Sequence, residues 1–321
     1  MNRYRAPWWL PGGHAQTIWA ARFSRRYTAV PPRFERERWT TPDGDFIDVD
    51  LQASDPAARW LVVFHGLEGS STSQYIQAFA DRARAAGLNF AAPHFRGCSG
   101  ELNLAPRAYH SGDFEEVGWI LARLRERAHA PLLVAGVSLG GNALLRWAEE
   151  AGESAAHTAA AVAAICSPID LAAGGRAIGS GFSRLSYTPM FLRTMKPRAL
   201  AKLAQHPGLF DRERLLAARD LYEFDNVFTA PLHGFKNTED YWARGSAKPH
   251  LPRIRIPALV LNAHNDPFVP AWCLPLAHEV GAHVTLWQPA HGGHVGFAAG
   301  TPPGHVLTMP QAVLGWLRAH T

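Results

Sequence analysis

Cysteine is scarce. The chain has 321 residues and three cysteines, Cys98, Cys166 and Cys273, far apart and odd in number. That usage argues against a disulfide framework and for free thiols in a reducing, cytoplasmic setting. Long apolar runs are also missing. The longest run of small apolar residues, Ala159 to Cys166, is far too short to span a bilayer. The apolar residues after Arg3 and Arg5 are broken by Pro7, Pro11, Gly12 and Gly13, which is incompatible with a signal-peptide core. No integral membrane segment is expected, although eleven tryptophans leave room for an apolar ligand surface or peripheral membrane contact. Charge is thin as well, at 18% of residues with a net +5. Its densest basic stretch, Arg22 to Arg38, includes Glu35 and Glu37 and reads as a solvated strand and loop. No basic-aromatic stripe is present, so nucleic acid is not an expected partner. Repeats and low-complexity segments are absent. What remains is a chain of 47% hydrophobic residues, long enough for one large α/β domain with an insertion.

The most informative stretch is Pro131 to Asn142. The apolar run Leu132 to Ala135 reads as a buried parallel strand. It leads into Gly136-Val137-Ser138-Leu139-Gly140, a G-x-S-x-G pattern, and then into a helical run, Ala143 to Glu150. Strand, tight glycine turn and helix together are the context of a nucleophile elbow, with the serine hydroxyl projected above the sheet. A glycine-rich strand-to-helix turn in some other α/β protein is the competing reading.

Around this stretch the pattern from residue 58 alternates strand and helix, as in a parallel, doubly wound sheet. Strands are expected at 33–40, 46–51, 60–64, 88–93, 132–135, 159–166, 257–263 and 283–287. Helices are expected at 73–86, 114–128, 270–280 and 306–319. Asp113 and Glu116 form a capping-box-like start to the second of these helices. Three parts follow. Residues 1–32 read as an irregular arm that wraps the core or walls the substrate pocket. Residues 33–169 and 252–321 form the α/β core. Residues 170–251 read as a mainly helical cap, in patches separated by Pro189, Pro197, Pro207 and Pro231.

A serine hydroxyl is a weak nucleophile and needs a base, and the base needs an orienting acid. In α/β-hydrolases these follow the serine in the order acid, then histidine. Asp266, just past a strand, is the candidate acid, with an Asx-turn or helix cap as its structural alternative. His294, in a loop with Gly292, Gly293 and Gly296, is the candidate base, and His291 its competitor. His264, Asp266, His291 and His294 could instead suggest a metal cluster, but their spacing does not match a ligand motif. No metal and no cofactor is therefore expected. The oxyanion would be received by the backbone N–H groups of Leu139 and of Leu67, in the His65-Gly66-Leu67-Glu68-Gly69 loop. His65 is expected to bond within that loop rather than to act as base.

Several of these motifs together resemble a known family. Pro11 to Thr17, His65 to Gly69, His94 to Gly100, Gly136 to Asn142, Asn265-Asp266-Pro267, Gly292 to Phe297 and the cap stretch Phe224 to Phe235 are similar to the YheT-like hydrolases, bacterial relatives of the animal abhydrolase-domain lipases in the AB hydrolase type-4 family. The resemblance covers about residues 7–317. It implies an α/β-hydrolase fold with an eight-stranded, mostly parallel sheet, and a carboxylic ester hydrolase in which Ser138, Asp266 and His294 form the charge relay. The substrate implied is a small-molecule ester of short- to medium-chain or lipid-like acyl type. The animal relatives carry an N-terminal membrane anchor, and none is expected here. Acyl transfer with the same triad and a non-catalytic ligand-binding role are the alternatives.

Overall fold

The computed structural model describes residues 4–320. Residues 1–3 of the arm and residue 321 of the core lie outside the described residues. Eight strands form one sheet in the order β1-β2-β4-β3-β5-β6-β7-β8. They are β1 (Glu35–Thr40), β2 (Phe46–Gln52), β3 (Trp60–Phe64), β4 (Asn89–Pro93), β5 (Leu132–Val137), β6 (Ala159–Ile165), β7 (Ala258–Leu261) and β8 (Val284–Trp287). β2 runs antiparallel to both β1 and β4, and the pairs from β4 through β8 are parallel.

Strands β3, β5, β6 and β7 are apolar throughout because both faces of the sheet are covered there. Side chains alternate between those faces along each strand. Val62, Phe64, Leu132 and Val134 point to one layer, where they meet Val117, Ile120 and Leu144. Leu61, Val63, Leu133 and Ala135 point to the other, where they meet Ile76, Phe79 and Val313. The helices supplying those layers are α2 (Gln74–Ala85), α3 (Phe114–Glu126), α4 (Leu139–Ala151) and, at the C-terminus, α11 (Thr308–Ala319). β1 is mostly exposed and β8 only half-buried, as suits the two edges.

Between β6 and β7 lie α5 (Leu171–Ile178), α6 (Gly181–Gln205), α7 (Arg212–Ala217), α8 (Leu221–Val227), α9 (Thr229–Leu232) and α10 (Thr238–Gly245). These helices carry their own apolar cluster, including Leu192, Met195, Leu215, Phe224 and Phe228. Among the described residues no helix is long and apolar enough to cross a membrane.

Several local expectations differ from the structure. The arm is not irregular throughout, since Gly13–Arg22 forms helix α1. Pro7 and Pro11 precede this helix rather than interrupt it, and Gly12 adopts the positive φ of 76° at its start. Trp19 of the arm is buried against Trp9, whereas Trp8 stands out in solvent. Pro189 and Pro197 do not separate helical patches but lie inside α6. Each removes one backbone bond, and burial of Tyr187, Leu192, Met195 and Ala199 holds the helix through both. The helix expected at 270–280 is only two short turns, Ala271–Cys273 and Ala277–Glu279. Pro275 lacks an N–H and holds Leu274 extended before it. The capping box at α3 does not form. Asp113 instead takes a hydrogen bond from Arg107, and Glu116 from Arg96.

One buried acid in the cap has a pH signature. Asp225 accepts hydrogen bonds from Thr229 Oγ1 (2.6 Å) and Trp242 Nε1 (2.9 Å). Burial pushes its carboxyl up from 3.8 to about 6. Over that window the folded chain binds more proton than the unfolded one, so Asp225's contribution is present at low pH and lost as pH rises through about 6. Asp225→Asn should therefore raise Tm relative to wild type above about pH 6 and lose that advantage near pH 4, as read by thermal melts across the range.

Candidate active site

The carboxyl ends of the parallel strands converge on one cleft, the position where open α/β sheets place their sites. Ser138 follows β5 directly and caps α4, with φ 53° and ψ −123°. Side chains with β-carbons rarely occupy this left-handed region. The turn closes only because its neighbours are small. A β-carbon on Gly136 would lie 2.5 Å from the Gly140 carbonyl oxygen, and one on Gly140 would lie 2.4 Å from the His65 carbonyl oxygen. Among the described residues, Glu68, Cys166, Val295 and Phe297 are the other non-glycine residues at positive φ. All four lie in loops beside Ser138, so the backbone strain of the molecule is gathered at this cleft.

His294 Nε2 lies 3.0 Å from Ser138 Oγ, and His294 Nδ1 lies 2.9 Å from Asp266 Oδ2. The Asp266 side chain is fully buried. Its Oδ1 accepts the N–H groups of Phe268 (2.8 Å) and Val269 (3.2 Å). The Asx-turn and the acid facing the histidine are thus the same carboxylate, and Oδ1 serves both, since it also lies 3.2 Å from His294 Nδ1. With that carboxylate at Nδ1, the imidazole keeps its proton there and turns Nε2 to the serine as acceptor. Phe268 packs against the imidazole at 4.4 Å between ring centroids. His291 and His264 are exposed and lie outside this chain of bonds. The group of metal-ligating side chains brought close among the described residues is Cys166, Asp266 and His294. Two of its members are already bonded to each other, and burial raises the Cys166 thiol well above its ordinary value, away from the thiolate a metal requires.

His65 is buried and bonds as expected within its loop, Nδ1 to the Gly66 carbonyl at 2.7 Å, while Nε2 accepts the Phe95 N–H. Burial lowers its pKa to about 3, so it is neutral and structural. In the same loop Gly66 N–H donates to Tyr75 Oη, Glu68 N–H to Tyr109 Oη and Gly69 N–H to the Gly66 carbonyl. The Leu67 N–H donates to no group among the described residues. Leu67, Leu139, Ser138 and His294 all line one cavity with Phe191, Met195, Phe224, Phe228 and Phe268. Of the apolar residues of α6, Phe191 lines this cavity, Tyr187 and Met190 line its mouth, and Leu192 belongs to the cap core. Phe182 is exposed.

Sequence reasoning missed how the histidine loop is held. Helix α1 of the arm holds it. Gln16 Oε1 accepts the Gly292 N–H (3.0 Å) and the Asn265 Nδ2–H (3.1 Å), tying the acid and histidine loops together. Thr17 Oγ1 accepts the His294 N–H at 2.9 Å. A β-carbon on Gly13 would lie 1.8 Å from the Asn265 carbonyl oxygen, so the helix can approach only there. The Gly13-His-Ala-Gln-Thr17 motif was visible, but nothing local marks its polar residues as partners of a loop some 276 residues away. Asn142 was likewise quoted without a role. Its side chain bonds the Ser111 and Gly245 carbonyls and the Ala247 N–H, tying α4 to the end of the cap.

These features define a member of the α/β-hydrolase class. The chain belongs to the alpha/beta hydrolase fold family, whose sequence profile matches residues 59–301. It is 36% identical to the Escherichia coli (strain K12) protein named "Putative esterase YheT" over 96% of this chain and 90% of that protein. It is 27% identical to "Phospholipase ABHD3" of Homo sapiens, over 97% of this chain and 77% of that one. Among solved structures, mouse alpha/beta hydrolase domain-containing protein 10 shares the fold with a TM-score of 0.57 at 14% identity, over 89% of this chain and 98% of that chain. The protein is a hydrolase.

Replacing Gln16 by Leu removes the acceptor of two N–H groups at the joint of both loops. A stranded buried donor costs about 1–3 kcal/mol. Gln16→Leu should lower unfolding free energy by about 2 kcal/mol in denaturant titration and speed hydrogen exchange in the loop that bears His294.

Proposed function

We propose that the protein is a serine hydrolase of carboxylic esters that works through an acyl-enzyme. The observation that carries this reading is the continuous chain Ser138 Oγ, His294 Nε2, His294 Nδ1, Asp266 Oδ2 at 3.0 and 2.9 Å, opening on an apolar cavity. Ser138 attacks the ester carbonyl as His294 Nε2 takes its proton. Asp266 holds the imidazole and stabilises the cation that forms. The Leu67 N–H, left free between two amides bonded to tyrosine hydroxyls, and the Leu139 N–H at the start of α4 receive the oxyanion. His294 returns the proton to the leaving alcohol. Water, deprotonated by the same imidazole, then releases the acid.

The cavity wall of Phe191, Met195, Phe224 and Phe228 favours a short- to medium-chain or lipid-like acyl group over a charged one. The relatives named as esterase and phospholipase agree with an acyl ester as substrate.

Two variants test the roles on a p-nitrophenyl ester series. Ser138→Ala should reduce kcat by about 10⁵-fold or more and abolish fluorophosphonate labelling. Asp266→Asn should reduce it by about 10⁴-fold, through the wrong imidazole tautomer, with KM little changed. Undiminished turnover in the Ser138 variant would overturn the assignment. Across the series kcat/KM should rise from acetyl toward medium-chain esters.

A further inference from the structure

The mouth of the cleft has two walls. One is α1, through Thr17, Ile18 and Arg22, and the other is α6, through Ser186, Met190 and Arg193. His14 and Phe182 join them, with ring centroids 4.7 Å apart. Exposed apolar side chains crowd this rim. Phe182, Leu185 and Met190 stand on α6, and Ile18 and Phe23 at the end of α1. Leu185 is 80% exposed and Phe23 68%, left uncovered by the described residues. The spacing 182, 185, 186, 189, 190, 193 is that of a single helix face. Grouped around a cleft, such residues mark an interaction surface rather than ordinary surface scatter.

Charge is segregated in the same place. The chain holds 27 acidic residues, yet none falls in residues 1–34 or 171–210, the two segments that supply these walls. Each segment has six lysines and arginines. Elsewhere arginines are spent in ion pairs, as in Arg36–Asp50, Arg38–Asp48 and Arg96–Asp45. On α6 only Arg198 is so paired among the described residues, to Glu68. Arg22, Arg184 and Arg193 form no ion pair among the described residues and are exposed.

We propose that this rim docks the protein on an anionic lipid surface, with the mouth of the cleft against the bilayer. A polyanion such as nucleic acid would satisfy the arginines and leave Leu185 and Phe23 in water. An uncharged apolar partner would cover those two and strand the arginines. An anionic bilayer meets both, the guanidinium groups at the headgroups and the apolar residues at the acyl boundary. Docked this way, an ester could pass from the bilayer into the cavity without crossing water. That last step rests on the proposed function, but the binding does not.

Co-sedimentation of the full chain with vesicles tests it. Wild type and Ser138→Ala should both pellet with phosphatidylglycerol–phosphatidylcholine vesicles and not with phosphatidylcholine alone, and high salt should release them. Arg193→Glu, and separately the double variant Phe23→Asp with Leu185→Asp, should each cut partitioning by about tenfold or more. The double variant should keep wild-type turnover of a soluble short-chain ester, which shows that it folds. Equal binding to both vesicle types, or unchanged partitioning in a folded double variant, overturns the proposal. So does binding to duplex DNA that Arg193→Glu weakens and the double variant does not, since that pattern assigns the charge to a polyanion. Absence of esterase turnover with intact vesicle binding would count against the proposed reaction alone.

Discussion

The backbone turn at Ser138 is the constraint on which the rest depends. A serine at φ 53° is unfavourable by itself and persists only where the surroundings over-determine it. Here the Ser138 N–H donates to the Ile165 carbonyl at the end of β6, and the first turn of α4 hangs from the Ser138 carbonyl. Close passage of β3, the His65 loop and α4 leaves no room for a β-carbon at Gly136 or Gly140. The sheet order therefore follows from the turn as much as the turn follows from the sheet. β5 lies between β3 and β6, where the end of β6 holds the Ser138 N–H and the end of β3 passes against Gly140.

The second requirement is that an imidazole from a distant loop arrive at the hydroxyl with the right nitrogen. Asp266 faces that imidazole with both oxygens while Oδ1 also accepts its own loop amides, so the acid is held whether or not the histidine is in place. The histidine loop closes on itself where the Gly296 and Phe297 N–H groups donate to the Gly292 carbonyl, but His294 itself needs more. The loop borrows Gln16 and Thr17 from α1. Of the turn at Ser138, the acid loop, the histidine loop and α1, only α1 contributes no residue to the proposed chemistry.

Much of this was legible in the sequence because its signals are local. Apolar runs marked β3, β5 and β6 nearly to the residue, and the glycines around Ser138 report a backbone requirement that is written in the motif. The order of Asp266 and His294 after the serine carried topology in one dimension. What was hidden is non-local. Pro189 and Pro197 looked like breaks because the burial that carries α6 through them comes from the cap's own packing. The helix expected at 270–280 failed at Pro275, whose effect exceeded the apolar pattern around it. Asp113 and Glu116 had capping spacing, but Arg107 and Arg96 compete for the same oxygens. Gln16 had no signal at all, since its partners lie at the far end of the chain.

That last contact also sets an order of events during synthesis. Residues 13–22 leave the ribosome well before residues 265–294, which they contact. Until residues 265–294 emerge, α1 has no carbonyl to lean Gly13 against and no loop for Gln16 to bind. A nascent chain that has already formed the Ser138 turn consequently has Ser138 without His294, and the contact between α1 and the histidine loop forms only once both are present.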